Sequence, residues 1–556
     1  VQRTVTVPIR GVVKNESNFD LQILGEDGAL HLFDKATGRD VVSSAAGPSF
    51  EEIAHPKPGE WPTYNGQLNG NRHSELKEID TANVARLSPK WMFTIPNAQR
   101  LQVTPVVVEG VMYVTAANEA FALDARSGRP IWHYKRPLTK GVIGDASSAI
   151  NRGVAVLGAK VFMVTDHAHL IALDRITGAL LWDTEIADFQ QHYGMTSAPL
   201  VVNDLVLVGT SGGDEGARGF IAAVKASNGE LAWKSWTIPA PGEPGSETWV
   251  GRAIEHGCSA PWLTGSYDPE VKLVYWTTGN PCPDYNGDER QGDNLYSSSV
   301  LALDPATGQR RWHFQFTPHD LHDWDASQPV LAVNADFQGT PRKLLLQASR
   351  NGFFYVLDRV TGEFLLAEPF VHKMTWASKI GKDGRPVLLP GQEPTIAGTK
   401  TCPAVEGASN WMSSAFNPST RLFYVMALER CNIYTKSAAW WEPGKSFYGG
   451  DTRRVRADDD RKALRAIDIQ TGKVAWEYPQ IGTANSWGGA LSTAGGLVFF
   501  GEDSGAFAAV DARTGKLLWS FQMNQVWKAS PMTYSTAGKQ FVAVASGGSI
   551  VAFGLP

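Results

Sequence analysis

The sequence predicts an all-β fold, an eight-bladed β-propeller with four-stranded blades. Three observations predict it: a short motif that recurs along the chain, an excess of tryptophan and glycine, and alternating apolar runs without helical periodicity. The chain has 556 residues, of which 19 are tryptophan and 55 glycine. Hydrophobic residues make up 43% and charged residues 19%, enough for a large core. The net charge of −5 leaves no nucleic-acid footprint. No apolar run is long enough to span a membrane. Val1 is not followed by a basic and then apolar leader, so a signal peptide is either already removed or was never present. Four cysteines are too few for a disulfide scaffold but allow one or two bridges.

The recurring motif comes first. ALDARSGRPIW ends at Trp132, IALDRITGALLW at Trp182, AAVKASNGELAW at Trp233, LALDPATGQRRW at Trp312, RAIDIQTGKVAW at Trp476 and AAVDARTGKLLW at Trp519. A weaker copy, YVLDRVTGEFLL, runs from Tyr355 to Leu366. In each, a short strand leads to a tight turn and a second strand. Asp at positions such as Asp174 caps the turn, and Gly at positions such as Gly178 accepts a positive φ. Further β-rich runs between the copies complete four strands per unit, and closing such units into a ring removes exposed sheet edges. The eighth blade joins the two ends of the chain: Trp91 in LSPKWMFTI supplies an outer strand and GKQFVAVASGGSIVAFGL the others. An open solenoid is the alternative, but the uneven spacing between Asp358 and Asp468 fits a ring with long insertions on one face. Residues 1–60 do not carry the repeat and read as a small β-rich extension, with the propeller occupying 61–556.

Propeller chemistry belongs where loops from several blades converge, so the polar, glycine-rich breaks are the places to search. These include GDASSAINRG (144–153), TSGGDEGARGF (210–220), GCSAPW (257–262), YWTTGNPCPD (275–284), TPHDLHDWDASQP (317–329), QASRNG (347–352), CPAVEGASNW (402–411) and NSWGG (485–489). With the blade motif, this ordered set resembles the PQQ-dependent (quinoprotein) methanol and alcohol dehydrogenases from about residue 60 onward. The blade motif alone is shared with non-enzymatic outer-membrane assembly propellers; the ordered loops are the more specific signal.

The resemblance implies a calcium ion held by Asp214, Asn280 and Asp325, an all-oxygen set suited to a hard cation. Asp214 is one methylene shorter than the family's glutamate, and Glu215 beside it competes for the role. Lanthanide-dependent relatives carry an additional Asp two residues after the catalytic one; counted from Asp325 that position is Ser327, which favours calcium. Asp325 matches the catalytic base, taking the hydroxyl proton as hydride moves to the quinone C5. Asp320 and Asp323 read as loop surface charges, and Trp324 as packing for that loop.

For the cofactor, the resemblance implies Trp262 as the stacking floor. Arg152, Thr196, Ser211 and Gly213 surround the carboxylates, Arg350 lies beside the reactive carbonyls, and Asn410 and Trp487 lie on the far side of the ring. The family's adjacent cysteine pair is absent; Ala146 and Ser147 stand in its place. Cys402 and Cys431 match a family disulfide. Cys258 and Cys282 flank Trp262 and Asn280, and that shared neighbourhood predicts a second bridge. Two bridges suit an oxidising compartment, a periplasmic or secreted setting. No CxxCH haem motif is present, so electrons are expected to pass to a separate cytochrome c or to a haem module not present in this sequence. The competing readings are a scaffold propeller and a PQQ enzyme acting on a bulky secondary alcohol, a polymer or a sugar. Loops 233–257 and 366–400 are expected to shape substrate access. The sequence leaves the oligomeric state open.

Overall fold

Each copy of the motif folds as the outer hairpin of a four-stranded antiparallel sheet. In the computed structural model, which describes residues 9–556 except 37, 39, 45, 456–459 and 483–485, the turn chemistry is local. Asp174 Oδ1 accepts from the Ile176 and Thr177 backbone N–H groups and from the Thr177 hydroxyl, while Gly178 N–H reaches the Asp174 carbonyl at 2.8 Å. The same Oδ1 cap recurs at Asp304, Asp358 and Asp511.

Eight such sheets follow one another. Blade 1 holds strands Val106–Val108, Val111–Ala116, Glu119–Asp124 and Pro130–Lys135; blade 2 holds Ala155–Leu157, Lys160–Val164, His169–Asp174 and Leu180–Glu185. Blade 3 comprises Leu200–Val202, Leu205–Gly209, Phe220–Lys225 and Leu231–Trp236; blade 4 comprises Ser266–Asp268, Leu273–Thr277, Ser299–Leu303 and Arg310–Gln315. Blade 5 has Leu331–Phe337, Thr340–Ala348, Phe353–Asp358 and Phe364–Pro369; blade 6 has Ala415–Asn417, Leu422–Glu429, Arg461–Asp468 and Val474–Pro479. Blade 7 contains Leu491–Thr493, Leu497–Gly501, Ala506–Asp511 and Leu517–Gln522. Blade 8 is composite: Met532–Thr536, Lys539–Ser546 and Ser549–Gly554 are completed by Ser88–Thr94, which pairs antiparallel with Ser549–Gly554.

First strands such as Leu200–Val202 are wholly buried, whereas fourth strands such as Leu180–Glu185 alternate towards solvent. First strands therefore line the axis and fourth strands the rim. Apolar clusters join each blade to the next, and the last of them unites blades 7, 8 and 1, so the ring closes.

The tryptophan of the motif is an inter-blade fastener. Trp132, on the rim strand of blade 1, lies over Gly178 of blade 2, and its indole donates to the Arg175 carbonyl at 2.9 Å. A Cβ at Gly178 would come within 2.7 Å of that indole, so the turn needs glycine for space as well as for its φ of +74°. Trp91 on Ala125, Trp233 on Pro305 and Trp476 on Ala512 repeat the arrangement. Blade 5, whose motif ends in Leu366, sets Glu368 and that leucine against Gly472 instead. Trp132→Ala is expected to cost about 3–5 kcal/mol, read as a lowered unfolding midpoint; an unchanged midpoint would refute the fastener.

Residues 61–74 run inside the ring along the first strands. Trp61 exchanges backbone hydrogen bonds with Val107, and the carbonyls of Leu68 and Asn69 accept from Tyr267 and Ala332. Asn71 brackets the Phe416 backbone, His73–Ser74 pairs in parallel with Leu491–Thr493, and the buried Arg72 reaches the Pro531 carbonyl. This segment ties blades 1, 4, 5, 6, 7 and 8 from within.

Outside the ring, strands Gly11–Glu16, Asp20–Gly25, Ala29–Asp34 and Asp40–Ser44 form a separate sheet beside the rim of blade 1, where Arg129 meets Asp34 at 3.0 Å. The long spacing before Asp468 contains a hairpin of Ala377–Ile380 with Pro386–Leu388, and a three-stranded sheet of Thr399–Thr401, Asn432–Lys436 and Gly450–Arg454. No helix of the described residues is long and apolar enough to cross a membrane.

Candidate active site

In a four-stranded meander, the turn between strands 2 and 3 and the link to the next blade lie at the same end. The loops singled out in the sequence are of these two kinds, so the fold gathers them on one face. Ser211, Gly213 and Asp214 lie in the 2–3 turn of blade 3, Asn280 in that of blade 4 and Arg350 in that of blade 5. Arg152, Trp262, Asp325 and Asn410 lie in inter-blade links. All of these line one cavity of about 270 Å³ near the axis, together with Gln102, Ile150, Glu215, Ala260, Asp323 and Trp411.

Asp325 is held on every side. Its Oδ1 accepts from the Asn280 backbone N–H at 2.7 Å, and its Oδ2 accepts from the Trp262 indole at 2.9 Å and from Arg350 Nη1 at 3.0 Å. A Cβ at Gly279 would come within 2.5 Å of Oδ1, so the glycine of TGNP makes room for this carboxylate. Asp323 stands two residues earlier at φ +57°, a strained turn that aspartate tolerates. Its Oδ1 lies 3.4 Å from Arg350 Nη2, and its Oδ2 takes no hydrogen bond from a described residue. Arg350 also donates to the Val405 carbonyl.

The carboxylates outnumber the cations. Burial, with Asp214, Asp325 and Asp320 nearby, drives the Asp323 carboxyl well above its ordinary range against the pull of Arg350. Burial also raises Asp325, although Arg350, the Asn280 N–H and Trp262 oppose it. Burial disfavours the Arg350 charge, yet Asp323, Asp325 and Asp320 together hold its pKa above the ordinary value.

This excess of buried negative charge, with the Asn280 amide at its edge, fits a hard cation. Among the described residues no three His, Cys, Asp or Glu side chains form a closed metal cage. The donor set thus relies on the amide and on a bound group in the cavity. The residues also fit a flat polyanion. The Arg152 guanidinium lies 5.0 Å from the Trp262 ring and 4.5 Å from the Trp411 ring, and donates to Thr196 Oγ1 at 2.5 Å. Ser211 Oγ is buried without a partner among the described residues.

Two expectations change. Asp320 and Asp323 are not surface charges: Asp323 lines the cavity, and the buried Asp320 caps the loop by accepting from the His322 and Trp324 backbone N–H groups. Trp487 is not in the cavity lining but directly behind it, in the cluster that holds the lining residue Trp411, with Trp262 packed against it and its own indole 3.4 Å from the Met426 carbonyl. Asn485 of the same motif lies outside the described residues. Thr196 acts through Arg152 and does not line the cavity. Trp411 and Ile150 had one signal in the sequence, their places next to Asn410 and in the loop of Arg152; Gln102 had none. Ala146 and Ser147 form part of a short turn over Gly144–Ser148.

Both expected disulfides form. Cys258–Cys282 joins the link carrying Trp262 to the turn carrying Asn280, and Cys402–Cys431 fastens the Asn410 loop to the insertion. From that insertion a strap crosses the Asp214 turn. Trp441 stacks on His256 at 3.9 Å, the Phe447 N–H donates to the Asp214 carbonyl at 2.5 Å, and the Phe447 ring packs on the Cys258–Cys282 bridge.

Comparison with known proteins gives a consistent result. A family described as the PQQ glucose/ethanol/alcohol dehydrogenase β-propeller domain matches residues 61–368 and 478–542. The quinoprotein alcohol dehydrogenase PedH of Pseudomonas putida is 39% identical over 91% of this chain and 89% of its own length. A lanthanide-dependent methanol dehydrogenase of Methylacidiphilum fumariolicum is 35% identical over 88% of this chain and 85% of its own. The structure of a europium-containing methanol dehydrogenase superposes with a TM-score of 0.85 at 31% identity, covering 91% of this chain and 100% of that one.

Proposed function

Because this chain belongs to the family of PQQ-dependent alcohol and methanol dehydrogenases, we propose that it oxidises an alcohol to the aldehyde or ketone in this cavity, with PQQ and one metal ion bound, and hands the electrons to a cytochrome c. Residues 61–556 carry the reaction and residues 1–60 are an extension. The observation that carries the reading is the pair Asp323 and Asp325, both in the cavity and both met by Arg350.

When bound, PQQ supplies the two-electron acceptor and the metal supplies Lewis acidity. The chain's own residues do the rest. Trp262 would be the floor, while Arg152, Ser211 and Gly213 would receive the cofactor's carboxylates, with Thr196 holding Arg152 in place. Asn410 borders the far side of the ring. Asp214, Asn280 and Asp325 would hold the cation. The hydrogen bonds favour a division of labour that the sequence did not suggest. Both oxygens of Asp325 are already occupied, which suits a fixed ligand and not a base. Asp323 Oδ2 has no described donor and can take the alcohol's hydroxyl proton. Arg350 pairs with both carboxylates, opposing the upward push of burial, and faces the charge that develops. The strap of Trp441 and Phe447 braces the Asp214 turn.

The same division bears on the metal. With Asp323 as the proton acceptor, Asp325 stands two residues after it, where the resemblance puts the additional carboxylate of lanthanide-dependent enzymes. Ser327, the basis for expecting calcium, is not among the cavity residues. A trivalent lanthanide therefore suits this acid-rich set better than calcium, which remains the second reading. The two disulfides accord with an oxidising compartment such as the periplasm.

The test is an absorption spectrum of protein reconstituted with PQQ and either calcium or lanthanum, before and after adding a series of alcohols. Quinone absorption that requires a metal and bleaches with one alcohol class supports the reading. Protein that retains no quinone with either ion overturns it in favour of a scaffold propeller.

A further inference from the structure

One buried acid beside the cavity has no assigned task. Asp284 lies four residues after Asn280 and is 0% exposed. Its Oδ2 has no hydrogen-bond partner among the described residues, and its Oδ1 lies 3.2 Å from the bridged Cys282 sulfur, which has no proton to give. The same sulfur lies 3.1 Å from the carbonyl of Gly213, which lines the cavity beside Asp214, so Asp284 stands directly behind that lining without being part of it.

Its backbone is fixed by the fully buried Arg290. That guanidinium donates to the carbonyls of Pro283 at 2.9 Å, Asp284 at 3.1 Å and Asp320 at 2.7 Å, and to the Asn294 amide oxygen at 2.8 Å. Arg290 thus ties the loop after Asn280 to the loop before Asp323, yet gives the Asp284 carboxylate no hydrogen bond. A buried carboxylate without a donor is costly unless a cation faces it.

We propose that Asp284 is a further acidic group of the cation site, adding its charge to that of Asp214, Asp323 and Asp325 so that the bound ion is held more tightly. Arg290 is its positioning residue. This inference rests on the cation reading above. It strengthens the preference for a trivalent ion, because each added buried charge favours the more highly charged partner.

The test uses the PQQ-loaded enzyme and D284N, titrated with terbium chloride and followed by tryptophan-sensitised emission, with calcium measured by competition. D284N is expected to weaken terbium binding tenfold or more. Without metal it should unfold at the same temperature as wild type or higher, since an uncompensated charge is gone. With metal the order should reverse, because the wild type gains more from the ion. D284E, which keeps the charge, should bind within a few-fold of wild type. Equal terbium affinity for D284N and wild type, or a lower metal-free unfolding temperature with unchanged affinity, overturns the proposal and leaves a structural role. Failure of the wild type to bind either ion would instead sink the cation reading itself.

Discussion

Asp323→Asn is expected to lower kcat by about a hundred- to ten-thousandfold while the enzyme still retains PQQ and metal. Asp325→Asn is expected to lose activity by a different route, through weakened metal retention. The two predictions separate because the carboxylates are used differently. Asp325 spends its oxygens on the Asn280 N–H, the Trp262 indole and Arg350. An amide there keeps one acceptor but turns a donor group towards Asn280 or Arg350, and the floor and the metal turn loosen together. Asp323 meets only Arg350, at 3.4 Å, so its amide leaves the surroundings intact and removes the proton acceptor. Stopped-flow bleaching of the quinone, with metal content measured in parallel, distinguishes the cases. If D323N bleaches at the wild-type rate and D325N does not with metal still bound, the roles are reversed and Asp325 is the base.

Arg152→Met is the second large effect. Arg152 is 2% exposed and lies between the Trp262 and Trp411 rings, with one of its donors on Thr196. A charge-assisted hydrogen bond to a buried carboxylate contributes about 1.5–3 kcal/mol, so PQQ affinity should fall about tenfold to a hundredfold or somewhat more. Methionine fills the slot between the indoles but carries no charge, so the unfolding midpoint of the cofactor-free protein should hold. The readout is quinone absorbance remaining after gel filtration. Full retention by the variant would mean that the cofactor carboxylates are neutralised elsewhere.

The ring and most of its site were legible because both are written locally. The Asp cap, the turn glycine and the docking tryptophan are set within about a dozen residues, so each copy announces a rim hairpin. The site loops kept their order, and a meander puts such loops on one face whatever the details. Cys258 and Cys282 could be paired because the residues they flank were already assigned to one pocket. What could not be read depends on backbone direction and on distant contacts. Asp323 and Asp325 are indistinguishable in sequence; the turn at Asp323 and the three donors around Asp325 set them apart. Trp487 looks like any other tryptophan in a glycine-rich loop until the core between blades 6 and 7 claims it. Residues 61–74 carry no repeat, and their path through the ring follows from partners hundreds of residues away, such as Asn71 with Phe416.

The composite blade has a consequence for biosynthesis. Thr94 is made 455 residues before its partner Ser549. Until that partner is made, the chain carries an unpaired strand and cannot be a closed ring. Contacts of such long sequence separation form slowly, and an exposed strand edge invites aggregation while it waits. A chain cut short by one hairpin therefore lacks more than one-eighth of its circumference. It loses the seam, and with it the shape that brings loops of blades 3, 4 and 5 together around one cavity.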